Sequence, residues 1–273
     1  MRARRQPVDA PDPATPDGGV ARGTSVDASD RRSETEIGAP TIAERSVSPN
    51  WPMSRPLAID IDGTMTRREG GVDERLFGPL REWDEPVVLA TGKSFAYPVA
   101  LCTFLGIPER VIAENGGVIL VDGDLTVAGD STAARQVAER LREEGYPGGW
   151  PEPDMHNRWR ETELSVTRSV PRELLEDLAT EYGQTIVDSG YAYHVKSSSV
   201  SKATGLRRAC DRLDLDPEAF VAIGDSANDA ELFDAVGRSY AVANADETAA
   251  ARADVRTEGS FADGVLEALD EVA

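Results

Sequence analysis

Two short apolar runs, each stopping abruptly on acids, limit what this chain can fold into. Pro56–Thr64 reads PLAIDIDGT and Phe220–Asp229 reads FVAIGDSAND. An apolar run this short, without alternation, suits a strand covered on both faces, as in a parallel sheet. PVVLATG and RVIAENGG repeat the form, with helix-like stretches at Asp73–Trp83 and SFAYPVALCTFLG around them. AELFDAVG, SYAVAN and ETAAARA continue the alternation downstream. The pattern predicts an α/β fold with a doubly wound, mostly parallel, Rossmann-like core sheet. In such sheets ligands bind beyond the carboxyl ends of the strands, which is where these acids fall.

The rhythm breaks between about Leu125 and Ser198. TAARQVAERLREEG and PRELLEDLATEYG have helical spacing, RETELSVTRS reads as an alternating, half-exposed strand, and TIVDSGYAYHVKSS reads as a hairpin. Helices beside antiparallel strands predict a small α+β cap over 125–198, inserted into a core formed by 54–124 and 199–273. Residues 1–53 are rich in Pro, Gly, Asp, Arg and Ser and nearly lack large apolar side chains. They predict a disordered extension, with Met53 as an alternative start. The arginines at its front have no apolar run behind them, so it does not read as a secretory signal.

Composition excludes several partners. The chain carries 29 basic and 49 acidic residues, a net charge of −20. That leaves no electrostatic footprint for nucleic acid or for an anionic membrane face. No apolar run approaches the roughly 20 residues that span a bilayer. Two cysteines, Cys102 and Cys210, lie far apart and indicate neither a disulfide scaffold nor a zinc cluster. A cytoplasmic location is expected. Of the 29 basic residues only Lys93, Lys196 and Lys202 are lysine. This acidic, lysine-poor make-up resembles the proteins of salt-in halophiles, in which salt screens self-repulsion. A GC-rich genome would explain the lysine shortage but not the excess of acids.

The strand ends carry the candidate chemistry. Asp60 and Asp62 would point to opposite sides of an extended segment, but the turn at Gly63 lets both approach one crevice. The alternative is an ordinary Asp-Gly turn. Asp225 and Asp229 flank the turn that opens a helix, and can add oxygens to a Mg²⁺ site that retains waters. Helix capping would account for one of these acids. Asn228 can hydrogen-bond within the same turn. In ATGKS, Thr91 and Gly92 offer a hydroxyl and backbone N–H groups to a phosphate. Lys202 begins a helix, where the dipole opposes a cation, so function explains it better than capping does. His156 and His194 read as ordinary cap residues, and Arg158 and Arg160 as a solvated cap face that could reach a substrate carboxylate.

These four motifs, in this order, resemble the haloacid dehalogenase-like phosphatase superfamily over Pro56 to about Ala273. The insertion and AENGG at Ala113–Gly117 are similar to the subgroup with a type-II α/β cap. The short cap and the GDSAND form are similar to its archaeal-type phosphoglycolate phosphatases. Those commonly carry Asn where this chain has Lys93. The resemblance implies a Mg²⁺-dependent hydrolase of a small phosphorylated metabolite, 2-phosphoglycolate first, with a sugar phosphate as the alternative substrate. It implies Asp60 as nucleophile and Asp62 as general acid and base. Mg²⁺ would be held by Asp60, Asp62 (through its main-chain oxygen), Asp225 and Asp229. Thr91, Gly92, Lys202 and Asn228 would bind substrate phosphate. A homodimer is compatible with this reading. TGKS mimics the end of a phosphate-binding loop, but Val87 stands where that motif needs glycine. Retention of both aspartates of DIDGT argues against a non-catalytic binding protein.

Overall fold

A computed structural model describes residues 54–273; the extension expected over 1–53 lies outside them. The chain runs β1 (Leu57–Ile59), α1 (Phe77–Arg81), β2 (Val87–Ala90), α2 (Ala96–Leu105), β3 (Arg110–Ala113), β4 (Val118–Val121) and β5 (Asp124–Val127). It continues with α3 (Ser131–Glu143), β6 (Leu164–Thr167), α4 (Arg172–Glu181), β7 (Gln184–Asp188) and β8 (Ala192–Ser197). The last part holds α5 (Lys202–Leu213), β9 (Val221–Gly224), α6 (Ala230–Phe233), β10 (Arg238–Ala241), α7 (Glu247–Arg252), β11 (Val255–Arg256) and α8 (Ala262–Val272). Among the described residues no helix is long and apolar enough to cross a membrane.

Eight strands form one sheet in the order β11-β10-β9-β1-β2-β3-β4-β5. The six strands from β11 to β3 are parallel to their neighbours. Because the period of a strand is two, β1 supplies both faces. Leu57 and Ile59 enter one apolar layer with Leu89, Ile223 and Val265, while Ala58 enters the other with Val88, Leu206 and Phe220. Each buried Leu, Ile or Phe contributes about 1.5–3 kcal/mol of transfer free energy. This explains why the runs that form β1, β2 and β9 read as unbroken rather than alternating.

At the far edge β4 and β5 form an antiparallel hairpin on β3. Its turn is Asp122-Gly123, both at positive φ (49° and 90°), the backbone a tight Asp-Gly hairpin demands. The sequence reading overlooked that signal. The cap boundary expected at Leu125 falls inside β5, whose pairing with β4 keeps it in the core sheet through Val127.

The inserted part is a three-stranded antiparallel sheet, order β6-β8-β7, with the expected hairpin as β7 and β8. Helices α3 and α4 cover it around Val137, Leu141, Val166, Leu175 and Val195. The β6 strand is buried rather than half-exposed: Leu164 and Val166 enter that apolar cluster, while Ser165 lines the cavity toward the core sheet. Where the chain leaves and re-enters the core, the Asp130 amide donates to Ser197 Oγ at 2.8 Å.

The turn after β3 fixes the start of α5. Gly116 has φ +97°, and a Cβ there would lie 2.0 Å from the Ser201 carbonyl oxygen. Gly123 has a similar φ of +90° but open space around it. Gly123→Ala is expected to cost about 1–2 kcal/mol of backbone strain alone. Gly116→Ala adds a backbone clash, and the difference in unfolding free energy by denaturant titration should reach at least about 1 kcal/mol.

Candidate active site

Strand β1 lies where the strand order reverses, between β2 and β9, with Ile59 level with both Leu89 and Ile223. The residues just past these strands therefore meet at one end of the sheet. Asp60, Asp225 and Asp229 each place a carboxylate oxygen within 4.8 Å of the others. Two glycines make room for them. A Cβ on Gly63, whose φ is +80°, would fall 2.0 Å from Asp225 Oδ2. One on Gly224 would fall 2.5 Å from Asp229 Cγ. The Asp229 Oδ2 atom accepts from the amides of Asp225 and Ser226, both at 3.1 Å, so the turn itself orients this acid.

Lys202 is the counter-charge. It is fully buried, and its Nζ donates to Asp60 Oδ1 at 2.6 Å and to Asp229 Oδ1 at 2.7 Å. Burial alone would lower its pKa, but the charges of Asp229 and Asp60 and their hydrogen bonds outweigh that and raise it. Ser201 caps α5 with its side chain on the Thr204 amide, which fixes where Lys202 leaves the helix. One ammonium serves three acids, so negative charge is in excess. Burial, first, and the Asp229 carboxylate, second, push Asp225 up from 3.8 to about 7. Burial likewise raises Asp60, helped by Asp229 and Asp225 and opposed by Lys202.

The other expected residues line the same cavity, about 480 Å³ in volume: Asp62, Thr91, Gly92 and Asn228. Asp62 stays outside the three-acid cluster and pairs with Lys93 Nζ at 3.1 Å. Thr91 Oγ1 accepts from the Lys93 amide at 3.1 Å, which occupies one N–H of that loop. No described residue accepts from the Gly92 amide. Asn228 Oδ1 accepts from Ser226 Oγ within its turn, as expected, and its Nδ2 donates across to Asn115 Oδ1 at 3.0 Å.

The cap wall departs from expectation. His156, His194 and Arg160 all line the cavity. Glu163, fully buried, accepts from Arg160 Nη1 (2.5 Å) and Asn115 Nδ2 (2.7 Å), and meets His194 Nδ1 at 2.5 Å. Burial would raise its pKa, but Arg160 and His194 overcome this and hold it down to about 2. An ionised carboxylate only accepts, so His194 Nδ1 is the donor in that bond. Glu114 accepts from the amides of Glu161, Thr162 and Glu163 and from Thr162 Oγ1, tying the turn after β3 to the start of β6. Glu114 and Asn115 both adopt positive φ (51° and 53°) to do this. Sequence reasoning read RVIAENGG as a strand and AENGG as a family mark; an acid and an asparagine ending an apolar run just before two glycines was the signal for this junction.

The donor set fits a hard divalent cation. Three carboxylates converge with more negative charge than one lysine balances, and oxygen ligands of this kind suit Mg²⁺.

Comparisons with known proteins agree with this geometry. Residues 156–269 match the family profile of haloacid dehalogenase-like hydrolases. A phosphoglycolate phosphatase of Natronomonas pharaonis is 54% identical over 220 residues, covering 80% of this chain and 97% of that protein. One of Archaeoglobus fulgidus is 36% identical over 218 residues, covering 79% and 95%. Among solved structures, a Thermoplasma acidophilum protein matches with TM-score 0.72 at 24% identity, covering 81% of this chain and 99% of the other. A haloacid dehalogenase-like hydrolase from B. subtilis matches with TM-score 0.66 at 22% identity, covering 80% and 100%. The structural likenesses speak for the fold; the sequence relatives carry the kinship, and the chain belongs to the haloacid dehalogenase-like hydrolase family.

Proposed function

We propose that this protein is a Mg²⁺-dependent phosphatase that hydrolyses a small phosphate monoester, 2-phosphoglycolate first, by way of an aspartyl-phosphate. The observation that carries this is the asymmetric setting of Asp60. Its Oδ1 is held by Lys202, while no described residue donates to Oδ2, and the residue lines the cavity. A carboxylate held at one oxygen presents the other as a positioned nucleophile. The substrate name comes from the relatives, which are 50% or more identical in several cases and carry that name.

Oδ2 of Asp60 attacks phosphorus; the bond to the leaving oxygen breaks as Asp62 gives that oxygen its proton. Asp62 then takes a proton from water, whose oxygen attacks the phosphoryl group and frees Asp60 and inorganic phosphate. Asp62 stands two residues from the nucleophile and lines the same cavity, which suits both proton transfers. Thr91 Oγ1 and the Gly92 amide stand at the cavity wall as donors for the phosphoryl group, while Lys202, expected as a further phosphate ligand, is buried beneath it and holds Asp60 Oδ1. Asn228 steadies the Asp225–Asp229 turn against Asn115. Asp60, Asp225 and Asp229, with the Asp62 main-chain oxygen, would hold Mg²⁺, which neutralises charge between an anionic nucleophile and an anionic phosphate. The surface supports work at high salt. Acids outnumber basic residues 49 to 29, and of the three lysines Lys196 and Lys202 are buried.

Asp60→Asn is expected to lower phosphate release at least about 10³-fold while the chain still folds, at a shifted Tm, because Lys202 keeps Asp229 as a partner; substantial turnover would remove Asp60 as nucleophile. A phosphate-release screen at molar KCl over phosphoglycolate, hexose phosphates and nucleotides should favour phosphoglycolate, and equal rates would remove that substrate. The acid cluster also predicts a pH effect. Folded Asp225 binds its proton more tightly than the unfolded chain does, with pKa about 7 against 3.8. The stability that this proton confers on the metal-free protein is therefore lost as pH rises across that window. Calorimetry should find Mg²⁺ raising Tm more at pH 8 than at pH 5; an equal rise at both would contradict a metal bound to these acids.

A further inference from the structure

The core side of the cavity is a floor of acids, which suits a metal-bound phosphoryl group but repels any second anion on the substrate. A carboxylate on the leaving group must therefore be met from the cap. Arg160 is the cap cation that lines this cavity. It is not part of a solvated face: its side chain is 8% exposed. Its Nη1 donates to the Gly92 carbonyl oxygen (2.9 Å) as well as to Glu163, and its Nε donates to the His156 carbonyl oxygen (3.2 Å). No described residue accepts from Nη2. Arg158, by contrast, is exposed and lies over the Trp159 ring, outside the cavity.

A guanidinium fixed on two of its three nitrogens has lost its rotamer freedom before any ligand arrives, so its remaining N–H groups bind at low entropic cost. Its anchor to Gly92 also sets it beside the loop expected to hold phosphate, which spaces it for a short substrate. The second cation in the cavity, Lys93, is already paired with Asp62. Glu163 acts through Arg160: being fully buried and held by three donors, it fixes the guanidinium and touches no ligand itself.

Resting on the phosphatase reading above, we propose that Arg160 Nη2 binds the carboxylate of a short carboxylated leaving group, and that Glu163 is its positioning residue. The site thereby selects carboxylated phosphate monoesters over neutral ones of the same size.

The test compares kcat/KM of the full chain for 2-phosphoglycolate and for 2-hydroxyethyl phosphate, which has a neutral group in place of the carboxylate. In Arg160→Gln the ratio of the two values should fall about ten- to a hundredfold, the size of a charge-assisted hydrogen bond, and the change should sit in KM. Glu163→Gln should move the same ratio in the same direction and also through KM. Arg160→Lys keeps the cation but cannot reach Gly92, Glu163 and a ligand together, so it should give a smaller fall; it decides the matter should the Gln variant not fold. A wild-type ratio near one, or variants that lose both substrates equally, would overturn the role of Arg160 while leaving the phosphatase intact. Release of phosphate from neither ester by the wild type would instead bring down the phosphatase reading and this subsite with it.

Discussion

A single buried ammonium group organises this molecule. Lys202 lies between Asp60, which ends the central strand, and Asp229, which opens the helix after β9. Removing one partner of such a buried pair typically costs about 3–5 kcal/mol, because the other charge is left without water. The cost explains the exactness of its surroundings. Ser201 caps the helix that carries Lys202, and Gly116 lets the backbone after β3 approach Ser201 closely. Gly63 and Gly224 clear the space that the acids occupy. Four residues with little chemistry of their own thus hold one nitrogen in place.

A second layer of buried charge joins the core to the cap. From Ser226 the contacts run through Asn228 and Asn115 to Glu163, and from there to His194 and Arg160. Glu114 adds a fan of backbone donors from the start of β6. Buried polar groups are costly when unpaired, so such a chain favours one arrangement of cap on core. The turn that carries two of the acids is therefore in hydrogen-bonded contact with the cap wall of the cavity.

Much of the core was legible in the sequence, for a physical reason. Strands covered on both faces read as unbroken apolar runs, and the acids that converge at the end of the sheet sit immediately after them, so β1 and β9 announce Asp60 and Asp225. Lys202 stood out because helix starts disfavour cations and the chain has few lysines. What escaped depended on long-range pairing. Glu163 and Arg160 sit in a polar stretch of the cap whose pattern is that of solvated surface, while His194 reaches Glu163 from β8 and Asn115 reaches it from 48 positions upstream. The hairpin of β4 and β5 was missed because its Asp-Gly turn followed a glycine-rich motif already given another use.

The scarcity of lysine, first met as a matter of composition, has a practical side. Lys196 and Lys202 are both buried, with Lys196 Nζ donating to the Val200 carbonyl oxygen. Lys93 is the exception, with 41% of its side chain exposed at the rim of the cavity. Reagents that acylate primary amines thus meet one accessible side-chain target, and it stands beside Asp62. A fluorophore coupled there would report from the mouth of the cleft without any cysteine being introduced, and occupancy of the cleft would register as protection of that amine.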